Sequence, residues 1–378
     1  MRPRGERHGP SPLRATPFLW LTAALAAGGV AAQERVPLCV GLTIAGTVSQ
    51  PEGDYEPLIT VEGMDTEGVH LRYVADVRTR TGSIRKVNVR RTVRLADLDT
   101  ATLTMPWFDD RAAVTMPGTT AIGLSRVVLQ ALKATGTARI GLLDAGSGAY
   151  PARHDVQPNL YQLAVPYTLR TAPNGARELP LLVNGVLVRL PVVHAAGEYM
   201  GDRVELVVVD DEANPLGLRF RISSGPAEAN AAIAQVVKIS YRCPRDQRTP
   251  EELPAGPLER ALLETGRADV YDIYFDFNSD RIREQSEPTL REIADLMRRH
   301  PDWKLGIEGH TDSIASDQFN LELSSRRAAA VKAALTTRYG IVETRLTTSG
   351  AGESRPKDRN DTPEGRARNR RVELVRRP

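Results

Sequence analysis

The sequence predicts an α+β protein, in which a mostly β, soluble region precedes a C-terminal α/β sandwich. Val69, Leu71, Tyr73, Ala75 and Val77 alternate with other residues, as in a half-buried strand. Asn-Gly at positions 184 and 185, between two apolar runs, predicts a tight hairpin. After about residue 268, strand-like and helix-like segments alternate, which is typical of a sheet covered by helices.

The first 32 residues have the order of a cleavable secretory signal. Four arginines precede an apolar run at residues 18–27, and small residues follow up to Ala32. The run is too short to span a membrane as a stable helix. We therefore expect a signal peptide over residues 1–32 and a secreted protein, with an uncleaved N-terminal anchor as the alternative.

The amino-acid composition limits the classes of protein to which the chain can belong. The chain has 378 residues, 41% of them hydrophobic and 26% charged, which describes a soluble globular protein long enough for two domains. The formal net charge is only +3, so there is no global electrostatic argument for nucleic acid.

Residues 33–243, called here the β-rich region, contain further strand candidates and one helix. The apolar residues from Ile122 to Leu132 share a helical face, and Gly136 follows as a stop signal. A division into two subdomains near residues 147–158 stays open, and the region resembles no known family. The other strand candidates are residues 86–95, 203–209, 216–222 and 234–241.

Cys39 and Cys243 are the only cysteines, and both follow the signal. In an oxidising compartment we expect one disulfide between them, which would join the first segment of the β-rich region to its last. Two buried free thiols are the alternative. Two distant cysteines without nearby histidines do not make a metal site, and we expect no cofactor.

Residues 244–267 are polar and rich in proline, which predicts a linker, with a short helix at 258–265. Residues 268–378, called here the C-terminal domain, follow with strand and helix signals in turn. We predict a βαβαβ-type mixed sheet with helices on one face. Its strands are predicted at 271–277, 303–308, 346–349 and 372–375, and its helices at 288–300 and 320–338.

Four fragments of this domain belong together in order and spacing. They are Phe275-Asp276-Phe277-Asn278-Ser279, Gly309-His310-Thr311-Asp312, Asn320 with Leu323-Ser324-Ser325-Arg326-Arg327-Ala328, and Gly365-Arg366-Ala367-Arg368-Asn369-Arg370-Arg371-Val372. Together they closely resemble the OmpA-like C-terminal domain of outer-membrane porins, Pal lipoproteins and the flagellar stator protein MotB. The resemblance implies an α/β sandwich that binds peptidoglycan, chiefly through the diaminopimelate of its stem peptide.

The resemblance also assigns roles to residues. By position, Asp312 matches the acid that receives the amino group of the ligand, and Arg327 matches the arginine that grips its carboxylate. Supporting positions are matched by Thr311, Asn320 and Arg370, and the rim of the first strand by Asp276 and Asn278. A simple salt bridge between Asp312 and Arg327 is the structural alternative.

The chemistry of the ligand is consistent with these roles. Diaminopimelate carries an ammonium and a carboxylate on one carbon, so its receptor needs an acid and a base held close together. A guanidinium can meet the carboxylate in a two-pronged fork, which lysine cannot reproduce. The family usually has glycine where this chain has Ala315, so a positive φ there would strain the loop.

We find no catalytic, phosphate-binding or dinucleotide-binding signature and expect no enzyme. The sequence therefore predicts a non-catalytic wall tether in the Gram-negative periplasm, where association with the outer membrane is an open question. Peptidoglycan is the expected partner and nucleic acid is not. One alternative is a wall-anchored adaptor that binds an envelope or secretion complex through residues 33–243, and another is a wall-targeted hydrolase.

Overall fold

One large, mainly antiparallel sheet makes up the β-rich region in the computed structural model, which describes residues 35–49, 54–78, 82–106, 108, 114–143, 164–224, 231–243 and 256–377. Its described strands follow the order β4-β3-β2-β1-β13-β12-β11-β10-β8-β7-β5-β6, and β9 pairs with β10 and β13. The strands are β1 (Thr43–Ser49), β2 (Leu58–Met64), β3 (Val69–Arg78), β4 (Ile84–Val93), β5 (Leu103–Thr104), β6 (Thr119–Thr120), β7 (Thr137–Leu142), β8 (Val165–Thr171), β9 (Glu178–Val183), β10 (Val186–Tyr199), β11 (Asp202–Val209), β12 (Gly217–Ser224) and β13 (Ala232–Ser240).

The strand signals of this region are confirmed. Val69, Leu71 and Tyr73 are buried on one face of β3, as their alternation predicts. Asn184 and Gly185 turn the chain between β9 and β10 with φ angles of 48° and 78°. Positive φ at both positions is what a type I′ hairpin requires.

Within the described residues, two helices interrupt the strands, α1 (Leu95–Thr100) and α2 (Arg126–Thr135). The sequence predicted at least one helix here, and the start of α2 was placed too early. The Ser125 hydroxyl accepts a hydrogen bond from the Val128 amide and begins α2, so Ile122 lies before the helix. Gly136, with φ of 72°, ends α2 as expected.

The expected disulfide is present between Cys39 and Cys243, with a Cα–Cα distance of 5.6 Å. It joins the chain just before β1 to the chain just after β13. These two strands already pair, with Thr43 opposite Ser240. The disulfide therefore closes a loop across the whole β-rich region at a place where the two ends are neighbours.

The C-terminal domain is built on a four-stranded mixed sheet in the order β14-β17-β15-β16. Only the pair β15 and β16 is parallel. The predicted mixed α/β fold, after a mostly β region, is thus confirmed. The helix α3 (Pro257–Glu264) precedes the domain, in the predicted linker, and β14 (Arg267–Val270) begins at its boundary. The remaining elements are α4 (Glu287–Arg299), β15 (Lys304–His310), α5 (Asp317–Tyr339), β16 (Leu346–Gly352), α6 (Pro363–Asn369) and β17 (Val372–Arg377).

The first strand of this domain differs from the prediction. We expected a strand at residues 271–277, but the sheet strand is Arg267–Val270, which pairs with β17. Beyond it the chain leaves the sheet, and Tyr274 packs against Ala45 and Leu58 of the β-rich region. The alternation at residues 271–277 reflects the burial of alternate side chains. The surface that buries Tyr274, however, belongs to the β-rich region and is not the face of a strand's own sheet.

The signal-peptide residues 1–32, the subdomain division near 147–158 and most of the linker lie outside the described residues. Within the described part of the chain, no helix is both long and apolar enough to cross a membrane.

Candidate functional site

Asp312 lies just beyond the end of β15 and is 9% exposed. One carboxylate oxygen accepts a hydrogen bond from the Ile314 amide at 3.2 Å. The strand can reach this position because residue 309 is glycine. A Cβ there would lie 2.2 Å from the carbonyl oxygen of Ser324 on α5.

Asn320, in the first turn of α5, holds the loop that carries Asp312. Its side-chain amide donates to the carbonyls of Asp312 at 3.1 Å and Ala315 at 3.2 Å, and to the Glu353 carboxylate at 2.5 Å. The Thr311 amide donates to the carbonyl of Gly352, which ties the loop to β16. Asn320 is 2% exposed, so it acts as an internal brace.

Ala315 does not have the positive φ that would strain it. Among the described non-glycine residues, only Asn184, Met200 and Asn278 have a left-handed backbone. The alanine is therefore accommodated, and its carbonyl takes part in the brace from Asn320.

Arg327 projects from α5 toward the turn after residue 275. Its Nε donates to the Ser279 carbonyl at 3.0 Å, and its guanidinium lies 4.8 Å from the centre of the Phe275 ring. Burial lowers the pKa of Arg327 to about 10. No carboxylate of a described residue lies within ion-pair distance of it, although the charges of Glu56, Arg370 and Asp312 all act on it.

Arg370, at the end of α6, completes the cluster. Its Nη1 lies 2.5 Å from Asp312 Oδ2, and its Nη2 lies 2.6 Å from Oε1 of Glu56 in the β-rich region. Burial opposes the charge of this guanidinium, but the two carboxylates outweigh that effect and raise the pKa of Arg370.

The two predicted rim residues occupy the turn that faces Arg327. Asp276 binds Arg283 at 3.1 Å and Lys86 of the β-rich region at 2.8 Å. Its burial would raise the pKa, but these cations outweigh it and hold the pKa of Asp276 below its ordinary value. Asn278 is exposed and adopts φ of 50°, which lets the chain reverse.

Among the described residues Asp312 pairs with Arg370, and no salt bridge joins it to Arg327. A carboxylate and two guanidiniums thus gather at the end of β15. Asp312 can accept a ligand ammonium. The two terminal nitrogens of Arg327 bind no described residue and can meet a ligand carboxylate. Sequence reasoning missed Glu56 and Glu353, which belong to none of the four fragments, and the carbonyl of Ser279, which has no side-chain signal although Ser279 ends the first fragment.

A second cluster, Glu308, His310 and Glu373, is the group of possible metal ligands found among the described residues. His310 Nε2 lies 3.1 Å from Glu308 and 3.4 Å from Glu373. Arg355 and Arg267 already pair with the two carboxylates. Because these cations compensate the negative charge, the cluster is an internal ion-pair network.

The fold and the site together give a mixed-sheet domain with one acid and two arginines near the end of its inner strand β15. Residues 274–370 match the model of the OmpA family, and the C-terminal domain belongs to that family. No family model matches the middle region.

Outer membrane porin F of Pseudomonas aeruginosa is 45% identical over 113 residues, which are 30% of this chain and 32% of the porin. The peptidoglycan-binding protein ArfA of Mycobacterium bovis is 42% identical over 86 residues, 23% of this chain and 26% of that protein. The crystal structure of the peptidoglycan-associated lipoprotein from Burkholderia pseudomallei is 30% identical and covers 28% of this chain and 88% of that one, with a TM-score of 0.26. The match to the porin thus spans about a third of its length.

Proposed function

We propose that this protein binds peptidoglycan non-covalently, as a tether to the cell wall in the periplasm. In this proposal Asp312 receives the amino group of diaminopimelate, and Arg327 receives the carboxylate on the same carbon. The observation that carries the proposal is the guanidinium of Arg327, held beside Asp312 without an ion pair to any described residue.

The surroundings of both groups support this role. The Ser279 carbonyl and the Phe275 ring fix the direction of the Arg327 side chain. Arg370 and the Ile314 amide bind the two carboxylate oxygens of Asp312 and hold the side chain in place. A site in which both partners are already oriented loses little side-chain entropy on binding.

The relatives support the same function at the level of the family. One is named a peptidoglycan-binding protein and another an outer membrane porin, which favours a location in the cell envelope. The proposed module binds without cleaving a bond. The acid and the arginines are needed to hold a zwitterion, and no step of the proposal needs a nucleophile.

The test is co-sedimentation of the full chain with purified diaminopimelate-type sacculi. Asp312→Asn keeps the shape of the side chain and removes its charge, and Arg327→Lys keeps the charge and removes the fork. Loss of one partner in a desolvated charged contact costs about 2–5 kcal/mol of binding free energy. The affinity should therefore fall by at least about thirtyfold. We expect both variants to lose pelleting at sacculus concentrations that pellet the wild type.

Arg326→Lys is the matched control. Arg326 is the exposed neighbour of Arg327 on α5, so its replacement should leave pelleting unchanged. If Asp312→Asn and Arg327→Lys pellet as well as the wild type, the assigned contacts are wrong. Equal pelleting with sacculi that lack diaminopimelate would contradict the assigned ligand.

A further inference from the structure

The β-rich region places a carboxylate in the candidate binding site. Glu56, between β1 and β2, lies 2.6 Å from Nη2 of Arg370, and the other end of the same guanidinium binds Asp312. Of the charges that act on Arg327, the carboxylate of Glu56 has the largest effect on its pKa. Glu56 therefore lies beside Arg370, and its charge also acts on Arg327, the proposed partner of the ligand carboxylate.

The β-rich region also engages the rim of the site. Lys86 binds Asp276 at 2.8 Å. Asp76 accepts a hydrogen bond from the Phe277 amide at 2.8 Å and pairs with Arg283 at 2.8 Å. The β-rich region thus binds both Arg370 and the turn that carries the two predicted rim residues.

A third contact holds the two parts together behind the site. Lys238 of β13 is buried, donates to the Tyr271 carbonyl and lies 4.2 Å from the centre of the Tyr274 ring. Tyr274 in turn packs on Ala45 and Leu58. Polar and apolar contacts therefore continue across this boundary, and Glu56 lies at one edge of it.

We propose that the β-rich region is an internal competitor of the wall ligand, with Glu56 as a carboxylate that occupies the site until peptidoglycan displaces it. This inference rests on the proposed function, because it names what regulates that same site. Binding in this arrangement requires Glu56 to leave Arg370. The measured affinity is therefore the intrinsic affinity multiplied by the fraction of molecules in which Glu56 has left. The β-rich region would thereby set how readily the protein attaches to the wall.

The experiment compares full-length wild type, Glu56→Gln and Glu67→Gln in the sacculus assay. Glu56→Gln keeps the side-chain shape and removes the competing charge. Glu67 is an exposed glutamate in the turn between β2 and β3 with no contact to the C-terminal domain among the described residues, so Glu67→Gln is the matched control. We expect Glu56→Gln to bind up to about fivefold more tightly than wild type, since an exposed ion pair contributes about 0–1 kcal/mol, and Glu67→Gln to bind like wild type.

A second readout follows the displacement itself. Addition of free meso-diaminopimelate should increase amide hydrogen exchange at Tyr55 and its neighbours before β2, because the adjacent Glu56 side chain loses its contact with Arg370. If Glu56 only stabilised the fold, the ligand would not displace it, and amide exchange in the β-rich region would not change.

The outcomes are distinguishable. If wild type pellets and Glu56→Gln binds equally or more weakly, Glu56 is not a competitor, and the proposed function stands. If neither protein pellets, the proposed function fails and the inference fails with it. Tighter binding by Glu56→Gln that Arg327→Lys abolishes supports both.

Discussion

His310 gives the stability of this protein a defined dependence on pH. The imidazole is 2% exposed and lies in the network with Glu308 and Glu373. Burial, together with the charge of Arg371, lowers the pKa of His310 from 6.5 to about 4 despite these carboxylates. Between about pH 4 and 6.5, the folded protein therefore keeps this histidine neutral, whereas the unfolded chain would protonate it.

The direction of the effect follows from proton binding. Above the unfolded pKa of 6.5 the imidazole is neutral in both states and contributes no pH dependence. As pH falls from 6.5 to about 4, the unfolded chain binds a proton that the folded protein does not, and the free energy of unfolding decreases. At about 1.4 kcal/mol for each unit of difference between the two pKa values, the loss amounts to about 3 kcal/mol.

The assay is urea unfolding of wild type and His310→Gln at about pH 7.5, 5.5 and 4. Glutamine does not titrate, and all other groups are shared by the two proteins. We expect the stability advantage of wild type over the variant to shrink by about 3 kcal/mol across this range. If the difference stays constant, or if it grows as the pH falls, His310 is not held neutral in the folded protein.

Two further predictions concern Gly309 and the disulfide. Gly309→Ala should destabilise the protein by about 1–3 kcal/mol in urea unfolding, because the new Cβ would meet the backbone carbonyl of Ser324 at 2.2 Å. Gly256→Ala, whose Cβ meets nothing closer than 3.5 Å, should change stability by less than about 0.5 kcal/mol, and an equal loss in both variants would contradict this account. Cys39→Ala with Cys243→Ala should lower stability by up to about 5 kcal/mol in thermal unfolding, because the disulfide closes a separation of 204 residues. Reductant should then have no further effect on the variant, and a stability equal to that of oxidised wild type would argue against this estimate.

The sequence predicted those parts of the structure that local signals determine. The alternation along β3, the Asn184-Gly185 turn and the stop at Gly136 each have a conformational cause within a few residues. The cluster around Asp312 and Arg370 was found because its residues lie in multi-residue motifs. The helix Pro363–Asn369 was missed, since its seven residues include few apolar side chains to show a periodicity.

Contacts between the two parts of the chain have no such local signal. Glu56 and Arg370 are far apart in the sequence, and an acidic residue before a strand is ordinarily read as a solvated one. Tyr274 gave a misleading signal for the same reason, because its burial comes from Ala45 and Leu58 and not from a strand partner. Sequence patterns record that a side chain is buried, but not which surface buries it.

The contacts across the boundary are unequal, and this decides what Glu56 can do. The side chains of Asp76 and Arg283 are 6% and 11% exposed, whereas that of Glu56 is 53% exposed. An ion pair as open to solvent as the one between Glu56 and Arg370 contributes only about 0–1 kcal/mol to folding. Its charge also acts on Arg327, the proposed partner of the ligand carboxylate, so Glu56 competes with the ligand there. Replacement of Glu56 should therefore raise the affinity for the wall at a cost of no more than about 1 kcal/mol in stability, while replacement of Asp76 should mainly lower stability.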